Sequence, residues 1–192
     1  MGARTDTRTK MLVSAIELLR ERGAAAVTVD AVLSHSGTPR GSVYHHFPGG
    51  RDQILAEALQ IAGDTIGVFI EQASTIDPHT ALDRMAAFWS ASLTDSDFRA
   101  GCPVVSVAVG ASPGEEPLRD TAADLLDRWH RSLRAALTDV GVPTERARRL
   151  AHLTVATLEG AVILCRARRS VEPLDDATAE LHLLLDTVVP AG

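Results

Sequence analysis

The chain has 192 residues, 45% of them hydrophobic, and a formal net charge of −6, so it is long enough to bury a substantial core. No apolar stretch approaches the roughly 18–20 unbroken residues that a membrane span needs, and the polar N-terminus lacks the apolar segment of a secretory signal. Two distant cysteines, Cys102 and Cys165, do not make a disulfide framework. These features disfavour a membrane-bound or an exported protein and indicate a cytoplasmic one.

The charge is divided unevenly along the chain. Residues 1–51 carry seven Lys and Arg against four Asp and Glu, which gives +3, whereas residues 52–192 carry twelve against twenty-one, which gives −9. Phosphate binding depends on local positive charge, so only the first quarter of the chain is suited to contact nucleic acid. We therefore predict two functional domains, one over residues 1–50 and a larger one over residues 51–192.

The first quarter contains signals for three helices. Apolar residues recur at helical spacing up to Gly23, a typical helix C-cap. A second helix is predicted to begin after Thr28, whose hydroxyl can accept from a free backbone N–H, and to end at Gly37. Thr38 is predicted to cap a third helix with Pro39 at its first position, and the Pro-Gly-Gly sequence after Phe47 ends that helix.

Longer helices follow in the rest of the chain. Residues 104–109 are rich in β-branched side chains, but a lone strand among helices would have no partner, so we predict a short buried helix there. The predicted fold class is all-α, with an N-terminal three-helix domain followed by a larger helical domain. The remaining helices are predicted at residues 51–73, 77–93, 115–140, 144–169 and 173–189.

Residues 28–47 have the layout of a helix-turn-helix. Val43 and Phe47 stand at i and i+4, so both can pack inward and leave the polar residues of the third helix outward. Arg40 can pair with the O6 and N7 atoms of guanine, and Tyr44 has a hydroxyl suited to a phosphate oxygen. The free N–H groups at the start of the next helix favour phosphate there. The predicted DNA contacts are Thr28, Thr38, Pro39, Arg40, Gly41, Ser42, Tyr44, His45 and Arg51.

The same residues resemble a known family. Residues 37–47, Gly-Thr-Pro-Arg-Gly-Ser-Val-Tyr-His-His-Phe, are similar to the DNA-binding signature of TetR/AcrR-type regulators. Further along, Phe98-Arg-Ala-Gly-Cys-Pro-Val104 and Leu158-Glu-Gly-Ala-Val-Ile-Leu-Cys165 are similar to segments of the LmrA/YxaF-like branch. Pro39 departs from the pattern, because many members have Ser there, so a hydroxyl contact to DNA is lost at this position.

The resemblance implies a function and a set of partners. Such proteins have a helical domain for ligand binding and dimerisation, and they release a double-stranded DNA operator when a small molecule binds. The implied effector is hydrophobic and often planar, and the implied place of action is the bacterial nucleoid. Repression is expected, although activation stays open at this point.

The few aromatic residues after the first domain indicate where an effector would bind. They fall in the central helices, where large apolar side chains can line a cavity as readily as they fill a core. Asp124, His130 and Glu159 are candidate polar anchors. The predicted pocket residues are Phe69, Met85, Phe88, Trp89, Val105, Asp124, Trp129, Leu133 and Glu159.

The last two helices have apolar stripes that predict a homodimer. Two such helices from each subunit would build a four-helix interface, and a twofold dimer would match a pseudo-palindromic operator. The predicted interface residues are Ala151, Val155, Leu158, Val162, Leu181, Leu184, Leu185 and Val188.

Other functions have weaker support. His35, His45 and His46 lack the spacing of a zinc site, so no metal is expected, and no cofactor is expected. No phosphate-binding glycine loop, nucleophile elbow or zinc-protease motif is present, so an enzyme is not expected. A ligand or redox sensor that binds no DNA is the alternative, with Cys102 and Cys165 either buried or reactive.

Overall fold

The computed structural model describes residues 2–111 and 114–189, with side chains from residue 7 onward. Within these ranges the chain forms nine α-helices and no β-strand, which confirms the all-α prediction. The helices are α1 (Gly2–Arg22), α2 (Val29–Ser36), α3 (Val43–His46), α4 (Gly50–Ala73), α5 (Pro78–Asp95), α6 (Pro103–Gly110), α7 (Glu116–Asp139), α8 (Thr144–Arg168) and α9 (Glu172–Val188).

Capping residues explain where α1 ends and where α2 begins and ends. Gly23 has φ 83° and donates its N–H to the carbonyl of Leu19, so it ends α1 as predicted. The hydroxyl of Thr28 accepts from the backbone N–H of Ala31 at 3.1 Å, which confirms it as the N-cap of α2. Gly37, with φ 65°, ends that helix in the left-handed conformation that glycine adopts without strain.

The start of the third helix differs from the prediction. Pro39 is extended, with φ −67° and ψ 140°, and Arg40–Ser42 form a 3₁₀ turn before α3 begins at Val43. The hydroxyl of Thr38 lies 2.6 Å from that of Ser36 and does not cap the helix.

The segment with β-branched residues is helical, as predicted. Pro103 stands at the first helical position of α6, where its missing N–H costs no hydrogen bond. Val104 and Val107 are fully buried, whereas Val109 is 82% exposed, so only one face of this helix packs into a core.

Two compact units make up the fold. The first unit comprises Met1–Asp64 and Cys102–Asp124, and the second comprises Thr65–Gly101 and Leu125–Gly192. In the first unit, α1 packs against α2 and α6; in the second, α9 packs against α5 and α8. These units describe packing, and the functional boundary near residue 50 stays a prediction.

Two of the described helices, α4 and α8, are long and apolar enough to cross a membrane on length and composition alone. This is weak evidence, because the core helices of soluble proteins have the same properties. Ile54, Leu59 and Ile70 of α4 and Leu158 and Val162 of α8 are buried inside the protein.

Candidate functional site

Two buried apolar side chains anchor the helix-turn-helix on its inner side. Val43 and Phe47 are both fully buried, as their spacing predicts. The guanidinium of Arg8 lies 4.9 Å from the centre of the Phe47 ring and forms an ion pair with Glu57. These contacts fix α3 against α1 and α4 and leave its other face to solvent.

The outward face of this segment is polar and open. Tyr44 is 66% exposed, and Thr28, Pro39, Gly41 and His45 are exposed as well. Because Thr28 uses its oxygen to accept from Ala31, its O–H remains available as a donor. Such a face can present hydroxyl, imidazole and guanidinium donors to phosphate oxygens and base edges.

Arg40 is exposed, but its guanidinium already has an ion-pair partner. It pairs with Asp30 of α2, and the two side chains are 77% and 72% exposed. An exposed pair of this kind is worth little, so Arg40 can exchange the carboxylate for a phosphate or a base at small cost. Ser42 is also engaged, since its hydroxyl donates to the Pro39 carbonyl at 2.5 Å.

Arg51 has a different environment from the one that the sequence predicts. Its Nε donates to the Val27 carbonyl at 2.8 Å, and its Nη2 donates to the Ala24 carbonyl at 3.0 Å. Its Nη1 donates to the Glu115 carboxylate at 2.8 Å. The guanidinium therefore binds the protein's own acceptors, and its contact with phosphate stays a prediction. No sequence signal points to this, because Glu115 lies 64 residues away.

The second unit contains an apolar cavity. It is lined by residues of α4, α5, α7, α8 and α9, and five of the predicted pocket residues are among them: Met85, Trp89, Trp129, Leu133 and Glu159. The lining also includes Ile66, Ile70, Leu82 and Leu150, which sequence reasoning missed. Aliphatic residues at core-facing positions carry no signal that separates a cavity wall from ordinary packing.

Four predicted pocket residues lie elsewhere. Phe69 and Phe88 stack on each other with ring centres 5.0 Å apart and are not part of the lining. Val105 and Asp124 belong to the first unit, whereas the cavity lies in the second. These four residues are outside the cavity lining because side chains on one predicted helix point to different neighbours once the helices pack.

The predicted dimer residues are either buried or half-buried within the subunit. Ala151 and Val162 are buried, and Val188 packs against the cluster around Leu137 and Leu150. The other five line the cavity: Val155, Leu158, Leu181, Leu184 and Leu185. An apolar stripe marks a face that packs against something without saying what, so contact of these residues with a second subunit stays a prediction.

The same two helices also carry large apolar side chains that are exposed to solvent. Leu153, Ile163 and Leu164 of α8 and Leu183 of α9 are 47–59% exposed. Large apolar side chains exposed together on adjoining helices are typical of a protein interface.

Both cysteines are buried. Burial raises the pKa of the Cys165 thiol above its ordinary value, which keeps it protonated and unreactive near neutral pH. Among the described residues, no group of three His, Cys, Asp or Glu side chains is arranged to hold a metal ion.

Comparisons with known proteins agree with this architecture. Residues 11–58 match the family described as bacterial regulatory proteins, tetR family, and residues 78–180 match the family described as transcriptional regulator LmrA/YxaF-like, C-terminal domain. An HTH-type transcriptional regulator of Mycobacterium tuberculosis is 42% identical over 188 residues, which cover 95% of this chain and 96% of the relative.

A more distant relative and a solved structure extend the comparison. The HTH-type transcriptional repressor DhaR of a Mycobacterium species is 27% identical over 200 residues, which cover 98% of this chain and 96% of the relative. The crystal structure of a TetR regulatory protein from Rhodobacter sphaeroides has a TM-score of 0.80 at 21% identity, covering 90% of this chain and 95% of that one. The likeness to the Rhodobacter sphaeroides structure shows that the two chains share a fold.

Proposed function

Because the chain belongs to the TetR family of transcriptional regulators, in its LmrA/YxaF-like branch, we propose that it is a repressor that binds a pseudo-palindromic operator as a homodimer. A small hydrophobic effector in the cavity of the second unit releases it. The protein is a DNA-binding regulator and not an enzyme, and we propose that it acts in the cytoplasm, at the nucleoid.

One observation carries the proposal for DNA contact. The polar face formed by Thr28, Arg40, Tyr44 and His45 is exposed, whereas Val43 on the opposite side is fully buried. This face belongs to the quarter of the chain that carries a net positive charge. Arg40 and Tyr44 are the strongest candidates for a base contact and a phosphate contact, respectively.

Binding to the DNA upstream of the gene and its neighbours tests this assignment. Arg40→Ala should weaken operator binding by about 1–3 kcal/mol and relax specificity at one base pair, because a bidentate base contact is lost. Tyr44→Phe should weaken binding to all sequences alike. Arg149→Ala, which removes an exposed arginine of α8, is the matched control and should bind as the wild type does.

Equal affinity of the wild type and both variants would contradict the assignment. No binding even at low salt, together with tight binding of a small molecule, would favour a sensor that binds no DNA. A reporter gene behind the operator separates repression from activation: deletion of the regulator should raise expression.

We propose that the dimer forms through the exposed apolar face of α8 and α9. Ile163→Glu should convert the dimer to a monomer in light scattering, because it places a charge in the centre of that face. Val109→Glu, on α6 of the first unit, makes a similar change at an even more exposed residue and should leave the dimer intact. A dimer that survives Ile163→Glu and Leu183→Glu alike would contradict this interface.

Effector release requires a link from the cavity to the DNA-binding surface. Helix α4 begins at Gly50, directly after the helix-turn-helix, and lines the cavity with Ile66, Ile70 and Ala73. We propose that an occupied cavity favours a position of α4 that spaces the two recognition helices wrongly for the operator. The effector must therefore bind this state more tightly than the DNA-bound state.

A further inference from the structure

The cavity of the second unit has an apolar lining with few polar side chains. Its wall is almost entirely aliphatic and aromatic, and Glu159 is the one ionisable side chain among the described lining residues. The remaining polar side chains of the lining are Ser74, Thr154 and the indole N–H groups of Trp89 and Trp129. The hydroxyl of Ser74 already donates to the Ile70 carbonyl at 2.8 Å.

A single carboxylate selects the charge of what binds beside it. A partly buried anion in an apolar wall is stabilised by a ligand that brings a cation or strong donors, and it repels a ligand that brings a second negative charge. Glu159 already interacts with another group of the chain. This does not prevent ligand binding, because a carboxylate has two oxygens with about four acceptor positions.

The two tryptophans favour the same ligand. Trp89 and Trp129 are each only 2% exposed, and both line the cavity. The face of an indole ring attracts an ammonium or guanidinium group, most strongly where water is excluded. The cavity thus offers an apolar wall for a hydrophobic body and both a carboxylate and aromatic rings for a positive head group.

From this arrangement we infer that the effector is a lipophilic organic cation, an apolar molecule with a protonated amine that Glu159 pairs. The inference rests on the proposed effector role of the cavity and specifies the ligand by its charge. Neutral molecules of the same shape bind more weakly, and carboxylic acids bind least.

The test uses three probes with one apolar cage and different head groups: adamantyl amine, adamantyl alcohol and adamantane carboxylate. The chain has only two tryptophans, both at the cavity, so its intrinsic fluorescence reports on occupancy, and the probes do not absorb in that range. The expected order of affinity for the wild type at neutral pH is amine, then alcohol, then carboxylate.

Glu159→Gln should reduce the affinity for the amine by about tenfold and leave that for the alcohol nearly unchanged, because it removes the charge and keeps the shape. Glu145→Gln, the same substitution in the first turn of α8 outside the cavity lining, is the control and should keep the preference for the amine. Thermal melting of both variants checks that each is folded.

Three results would overturn the inference: no saturable binding of any probe, equal affinity of amine and alcohol, or a preference for the amine that persists in Glu159→Gln. Operator binding is measured separately in the presence of saturating amine. If the amine binds with the expected dependence on Glu159 but the operator is not released, the charge selectivity stands and the proposed effector role fails.

Discussion

The guanidinium of Arg128, on α7, lies against the backbone of α4 at Gly67. A β-carbon at residue 67 would stand 2.7 Å from Cζ of Arg128 and closer still to Nη2. Arg128 also pairs with Glu71, one turn further along α4, at 3.6 Å. The absence of a side chain at Gly67 thus allows a charged group to pack directly on the helix that forms one wall of the cavity.

Gly67→Ala should displace the Arg128 guanidinium from α4 and weaken its pair with Glu71, because the new methyl group would overlap the guanidinium. The guanidinium is the end of a flexible side chain and can move at small cost, and alanine favours a helix over glycine by about 1 kcal/mol, so the free energy of unfolding should change little. Gly110→Ala is the matched control, because a β-carbon there meets nothing within 4 Å. Urea unfolding measures both. A loss of more than about 2 kcal/mol in Gly67→Ala alone would show that Arg128 is held rigidly in place.

Arg51→Met should lower the free energy of unfolding by roughly 2–3 kcal/mol, because it leaves the Val27 and Ala24 carbonyls and the Glu115 carboxylate without this donor. Arg22→Met, which alters an exposed arginine at the end of α1, should change stability little. Chemical unfolding tests the pair. If Arg51→Met were as stable as the wild type but bound operator with a weaker salt dependence, Arg51 would be a phosphate contact after all.

Asp30 competes with DNA for the guanidinium of Arg40. Asp30→Asn should raise the affinity for DNA by about two- to fivefold at low salt. The gain should be similar for the operator and for an unrelated sequence, because it is electrostatic. Asp120→Asn, at an exposed position of α7, removes the same charge elsewhere in the first unit. Fluorescence anisotropy at several salt concentrations compares them. Equal gains in the two variants would show that only net charge matters.

Asp77 caps α5, and this contribution should depend on pH. Hydrogen bonds from Thr80, its hydroxyl first and then its backbone N–H, lower the pKa of Asp77 below its ordinary value. A carboxylate whose pKa is lowered by folding stabilises the fold at pH values above its ordinary pKa, which is near 4. This stabilisation is lost as the pH falls through the lowered pKa.

The melting temperature of Asp77→Ala should accordingly lie below that of the wild type at neutral pH, and the difference should shrink in acid. Asp77→Asn keeps a capping oxygen without a charge, so its deficit at neutral pH should be smaller. Melting curves from neutral pH down to about pH 3 test this. A deficit of Asp77→Ala that stays constant over this range would mean that the charge of the cap contributes nothing.

Neither thiol should react quickly in the folded protein. Cys165 is fully buried and Cys102 is 6% exposed, and burial raises the pKa of Cys165, so its reaction should stay slow as the pH rises through the ordinary thiol range near 8.5. A disulfide reagent should label both thiols only in urea. Ser34→Cys, at an exposed position of α2, provides a fast-reacting positive control. One rapidly labelled thiol in the native wild type would reopen the possibility of a redox sensor.

Much of the helix-turn-helix could be predicted because its determinants are local. The cap at Thr28 and the left-handed Gly37 depend on neighbours within a few residues, and the burial of Val43 and Phe47 follows from their spacing on one turn. The start of α3 could not be placed, because a 3₁₀ turn and an α-helical turn suit nearly the same residues.

The sequence by itself determined the all-α fold, the family signature and the polar face that α2 and α3 present, since helical periodicity and capping act over one or two turns. Only the tertiary structure decided which acceptors Arg51 binds and which side chains meet around the cavity. It also decided that the stripe through Leu158 and Leu181 faces the subunit's own core, leaving Leu153 and Ile163 exposed. The physical reason is common to all three: an apolar or charged side chain specifies that it needs a partner, while the packing of distant helices selects which partner it receives.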